Sequence, residues 1–188
     1  MNLQNLLNKY HIKADIKMIL DMWNESHRHF HNLEHLMDII EQINENYGSG
    51  KIEEKQREKL MITALFHDIV YDPTKQDNEE KSAEFLINLC EDKNNKDILE
   101  IRDAILDTKT HKSSTPLSEV FNDFDMNIVE RDFNELLKWE DGIYNEYKIF
   151  GNDKYKEGRL TFLESLLDKY PNNSDNLTKL IDWVKVNY

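Results

Sequence analysis

Leu60-Met61-Ile62-Thr63-Ala64-Leu65-Phe66-His67-Asp68-Ile69-Val70-Tyr71-Asp72-Pro73 is the stretch on which the reading of this chain turns. Its apolar spacing, free of glycine, predicts a helix from about Glu53 to Val70. That helix must end near Asp72-Pro73, because the residue before a proline avoids the α region. On it, Leu60, Ala64, His67 and Asp68 stand at i, i+4, i+7 and i+8, so two polar groups continue a core-facing stripe. An imidazole and a carboxylate placed there are costly unless something pairs with them. The partner can be each other, a neighbouring helix end, or a divalent cation that satisfies both groups at once.

Working outward, the same period recurs. Ile16, Ile19, Leu20 and Trp23 form one stripe, and Leu33, Leu36, Met37 and Ile40 another. Asn32 is placed to cap a helix running to about Tyr47 and ended by Gly48-Ser49-Gly50. Asp77-Asn78-Glu79-Glu80 reads as a capping box with Glu80 at N3. Residues 96–109 read as helical, and Thr115-Pro116 as a cap with proline at N1. Later helices are expected over 117–139, 143–150, 153–169 and 175–186, broken by Gly142, Gly151-Asn152 and Pro171. Glycine is absent between Gly50 and Gly142, whereas an all-β sandwich needs a turn signal roughly every 8–12 residues. The expectation is an all-α, single-domain helical bundle over residues 1–188. Its core would span about 20–130, followed by C-terminal helices over about 131–188.

Composition narrows the function. A formal net charge of −13 argues against binding polymeric nucleic acid, whose phosphates are captured by a Lys/Arg surplus. A small anion is still acceptable where a metal inverts the local field. The lone Cys90 excludes a disulfide framework and reads as a small core residue. No apolar run approaches the roughly 18 residues that cross a bilayer, and Met1-Asn2-Leu3-Gln4-Asn5 carries neither a basic nor an apolar leader region. A cytoplasmic protein without a membrane partner is expected.

Four of the seven histidines, His27, His29, His31 and His35, lie within nine residues. Taken alone they read as a solvated surface cluster. A further acidic pair, Asp123 and Asp125, alternates with Phe121, Phe124 and Ile128. In chain order the polar residues beside apolar neighbours are then His35, His67-Asp68 and Asp125.

That order on a helical chain resembles the HD-domain superfamily, and more narrowly its group of metal-dependent HD phosphohydrolases. The resemblance rests on five elements over residues about 20 to 170: Phe30-His31-Asn32-Leu33-Glu34-His35, His67-Asp68-Ile69-Val70-Tyr71-Asp72-Pro73, Asn78-Glu79-Glu80-Lys81-Ser82-Ala83, Thr108-Lys109-Thr110-His111 and Tyr155-Lys156-Glu157-Gly158-Arg159. One departure is Val129-Glu130, where the group carries Leu-Gly. The resemblance implies a bundle of the HD type with His35, His67, Asp68 and Asp125 as ligands of one divalent ion (Mn, Fe, Co, Ni, Zn or Mg). It implies a metal-dependent phosphohydrolase acting on a nucleotide or another small phosphate ester. Alternatives are a di-iron oxygenase on the same scaffold, with His111 and His31 as further ligands, and a non-catalytic metal or nucleotide sensor. Arg28 and Arg159 suit phosphate, since a guanidinium donates two parallel hydrogen bonds, and His31 and His111 stand beside them as substrate contacts. Asp72 and Glu80, with Glu79 next to it, are the candidates for acid–base chemistry. Asp72 reads equally as a turn former and Glu80 as the capping-box carboxylate.

Overall fold

A computed structural model describes residues 1–188, and every regular element in it is helical. The α-helices are α1 (Leu3–Lys9), α2 (Ile16–Trp23), α3 (Leu33–Gly48), α4 (Glu54–Phe66), α5 (Asn78–Leu89), α6 (Lys96–Asp107), α7 (Pro116–Asp125), α8 (Phe133–Tyr147), α9 (Asn152–Leu166) and α10 (Ser174–Asn187). Short 3₁₀ turns cover Met126–Glu130, Lys148–Phe150 and Pro171–Asn173. The one β-type pairing is an isolated antiparallel bridge between Ile12 and Cys90. The fold is all-α, and no helix is long and apolar enough to cross a membrane.

The chain divides into two compact units, Met1–Asp125 and Met126–Tyr188. In the first, α4 is the axis and packs against α3, α5, α6 and α7. Its residues from Leu60 to Phe66 are all buried, as expected of a helix that is apolar all round in its second half. The amphipathic helices turn their stripes toward it: Ile19 and Trp23 from α2, and Leu36, Ile39, Ile40 and Ile43 from α3. Met37, expected on that last stripe, is exposed instead; Ile39 and Ile43 take the inward positions. Asn32 caps α3, accepting from the backbone N–H groups of Glu34 and His35. Cys90 is buried just past the end of α5, its thiol on the Leu86 carbonyl.

Three expectations need correction. The central helix stops at Phe66 and not at Val70, so His67 is the residue that closes it and Asp68 to Tyr71 form a turn. The capping box at the start of α5 does not form. Asp77 occupies the cap position without a side-chain bond to the helix, and Glu80 reaches instead to Lys109. The expected helix 117–139 is two helices. After Asp125 the chain tightens into the 3₁₀ turn, and Asp132 restarts it by accepting from the N–H groups of Asn134 and Glu135. The Val129-Glu130 departure falls in this turn. Gly142, taken as a break, lies buried inside α8; one interior glycine costs a helix only about 1 kcal/mol, which packing can offset.

In the second unit α10 packs on both α8 and α9. Its polar centre is Glu140, fully buried, with one carboxylate oxygen accepting from the Tyr155 hydroxyl at 2.6 Å and the other from Arg159 Nε at 2.7 Å.

Candidate metal centre

The end of α4 decides the site. A helix leaves its last carbonyls without intrahelical partners, and a buried end must satisfy them some other way. Here the backbone answers at Thr63 and Phe66, through the N–H groups of His67 and Ile69. Side chains answer elsewhere. His67 Nδ1 bonds to the Ala64 carbonyl at 3.0 Å, and Trp23 Nε1 to the Leu65 carbonyl at 2.9 Å. A carbonyl only accepts, so His67 carries its proton on Nδ1, and when the ring is neutral Nε2 is left with a bare lone pair.

That Nε2 faces a cluster. It is 3.4 Å from His35 Nε2, 3.4 Å from Asp68 Oδ2 and 3.6 Å from Asp125 Oδ1. His35 Nε2 is itself 3.0 Å from Asp125 Oδ1. The ligand atoms of His35, His67 and Asp68 lie within 4.8 Å of one another. Three helices contribute: His35 from the first turn of α3, His67 and Asp68 from the end of α4, and Asp125 from the last residue of α7.

The chemistry of this set fits a divalent cation. Two lone pairs aimed at each other across 3.4 Å repel, as do two N–H groups, so a single proton or a cation must lie between them. Two nitrogens bound to one ion at about 2.1 Å and a tetrahedral angle stand about 3.4 Å apart. Without a cation the protein compensates with protons. Burial opposes charge on His67, but Asp68 and Asp125 outweigh it and push the imidazole up to about 9. Burial likewise opposes charge on Asp125, and its bonds with His111, His35 and His67 hold the carboxyl well below the usual range.

The HD domain family matches residues 30–138, more than half of the chain and a span that includes all four of these residues. The chain belongs to the HD-domain family. That family consists mostly of metal-dependent hydrolases, and HD domains bind divalent metals. No curated protein and no solved structure matches the chain.

The remaining expected residues divide. His111 is at the centre: its Nε2 lies 3.1 Å from Asp125 Oδ2, the oxygen turned away from His35. Its backbone is left-handed, with φ of 49°, a conformation rare for residues with a side chain. His31 stacks on Tyr71 with ring centroids 4.6 Å apart and meets His35 edge-on.

Arg28, expected to touch phosphate, does not offer its side chain to solvent at all. It spends its donors on Glu25 and on the carbonyls of His31, Asp68 and Ile69. Arg159, given the same expectation, is buried in the second unit between Glu140 and the face of Trp139, 4.1 Å from that ring's centre.

The two acid–base candidates also have other work. The Asp72 carboxylate accepts from the N–H and hydroxyl of Thr74, which forms a turn and lowers its pKa. Glu80 pairs with Lys109 at 2.6 Å on the surface. Glu79, one residue earlier, is the half-buried one; burial raises its carboxyl, and the charge on Asp68 adds to the rise.

Several residues that sequence reasoning left without a role hold the HD turn. Ser82 Oγ accepts from the Val70 N–H and can donate to the Val70 carbonyl, while the Asn78 amide makes the same pair of bonds with Asp72. Asn78 and Ser82 stand one turn apart on α5, which explains the Asn-x-x-x-Ser spacing. His27 Nε2 donates to the Tyr71 carbonyl at 2.9 Å.

Proposed function

We propose that this HD-domain protein is a metal-dependent phosphohydrolase that binds one divalent ion through His35, His67, Asp68 and Asp125 and cleaves a small phosphate ester, a nucleotide being the first class to test. The observation that carries this reading is the convergence of His35 Nε2 and His67 Nε2 at 3.4 Å beside two carboxylates, with the His67 tautomer set by Ala64. When bound, such an ion lowers the pKa of its water from about 15.7 towards about 7 and polarises a phosphoryl oxygen.

The residues supply the rest. Asp68 and Asp125 bring two negative charges, so the loaded site is close to neutral and accepts an anion that the −13 chain as a whole would repel. Buried Phe121 and Trp23 flank His67 with ring centres 5.2 Å away, which keeps the ligands in a low-dielectric wall. His111, half-buried, donates from Nε2 to the outer oxygen of Asp125 and so orients that ligand. Glu79, half-buried with its carboxyl raised by burial and by the charge on Asp68, is the acid–base candidate of this reading.

The test is elemental analysis of the purified protein, followed by a phosphate-release screen over nucleotides and simple phosphate esters with each metal restored. One equivalent of divalent metal with metal-dependent phosphate release supports the reading. Undiminished turnover by metal-free protein overturns it, and two irons with an oxygen-dependent reaction would replace it with the oxygenase alternative.

A further inference from the structure

The Arg28 guanidinium is buried with its side chain fully shielded, in a protein where an unpaired buried charge is expensive. Its bonding is complete on three sides. Nε donates to Glu25 at 3.1 Å, one terminal nitrogen to the carbonyls of His31 at 3.1 Å and Asp68 at 2.8 Å, and the other to the carbonyl of Ile69 at 3.1 Å. The face of the plane is taken as well, with Trp23 and Tyr71 ring centres 5.4 and 5.3 Å from its central carbon. The carbonyls it captures belong to two separate segments. Asp68 and Ile69 form the turn released where α4 stops, and His31, four residues ahead of His35, leads into the cap of α3.

We infer that Arg28 is a positioning residue that locks the metal ligands of one segment against those of the other, and not a contact for substrate phosphate. This rests on the metal-site reading above. One planar fork bridges the backbone of a ligand, Asp68, to the backbone that carries another, His35. A lysine cannot reproduce this, since a single ammonium on a flexible stem cannot hold three carbonyls in fixed directions. Groups that orient metal ligands from behind commonly change metal affinity by about 10–100-fold when removed.

The experiment measures Co²⁺ binding to Arg28→Lys and Arg28→Met by titration and by the visible d–d spectrum, with circular dichroism and melting curves alongside. The expected result is retained helicity, Co²⁺ affinity weakened by roughly tenfold or more, and a shifted d–d spectrum, with Arg28→Lys rescuing little. Wild-type affinity and spectrum in the folded variants, with only a lower Tm or a raised KM, would overturn the inference. Should both variants fail to fold, Glu25→Ala carries the test. Its side chain is 43% exposed, so folding is not at stake, and it releases the guanidinium on one side only. A threefold or greater loss of Co²⁺ affinity supports the clamp, and unchanged affinity overturns it. If the wild-type protein binds no Co²⁺ in the same titration, the metal-site reading itself fails and the clamp falls with it.

Discussion

His67 is bonded through Nδ1 to the carbonyl of Ala64, 3.0 Å away in the last turn of its own helix. The bond aims Nε2 at His35, Asp68 and Asp125 and fixes which nitrogen can bind a metal. His67→Ala should therefore reduce metal content at least tenfold while most helicity survives, because only the end of α4 loses a partner. Elemental analysis and far-ultraviolet circular dichroism of the same sample check both halves.

At the proposed site a metal and a proton would compete for the same nitrogen. In the metal-free protein Asp68 and Asp125, working against burial, hold His67 at about 9, above the ordinary 6.5. Its charged form thus stabilises the metal-free fold fully below about pH 6.5, and that contribution is lost as pH rises through about 9. Metal binding at pH 7 should then release close to one proton per chain, with affinity rising up to about pH 9. Calorimetry in two buffers of different ionisation enthalpy measures the release. Melting curves of metal-free protein at pH 6 and pH 9.5 test the stability change, which should favour pH 6.

Glu79 and Glu80 are neighbours with opposite surroundings. Glu80 is exposed and paired with Lys109, so Glu80→Gln should leave turnover within about twofold and stability within about 1 kcal/mol. Glu79 is half-buried with a raised pKa, so Glu79→Gln should lower kcat by about 10²-fold or more with metal content unchanged. Steady-state kinetics on the metal-loaded proteins separate the two.

Glu140→Ala should be the most damaging change in the second unit. It would leave Arg159 and the Tyr155 hydroxyl buried without their acceptor, and breaking a buried pair in this way costs about 3–5 kcal/mol. Urea unfolding gives the loss directly, and metal affinity should be unaffected in protein that remains folded.

Much of the architecture was legible locally. The apolar period of α2, α3 and α4, the Asn32 cap and the scarcity of glycine each act over a few residues, and the helices stand where they point. The errors fall where a longer-range contact wins. Glu80 has Lys109 as a partner from across the fold, so the capping box is not used. The helix expected to reach Val70 stops at Phe66 because side chains from α2, the following loop and α5 take the carbonyls it releases.

The candidate ligands were also within reach, since a histidine and an aspartate on an apolar stripe demand a partner wherever the chain folds. What those residues were surrounded by was not. A guanidinium in a histidine-rich run reads as a phosphate contact until the fold buries it against three carbonyls. The order of residues determines which segments are helical and which polar groups are stranded among apolar ones, because propensity, period and capping are properties of neighbours in sequence. Which backbone groups Arg28, Ser82 and Asn78 hold, and that His35 and His67 meet at 3.4 Å, was decided only in the tertiary structure. Buried hydrogen-bonding groups must find partners, and these stand 6 residues apart along the chain for Asn78 and Asp72 but 40 apart for Arg28 and Asp68.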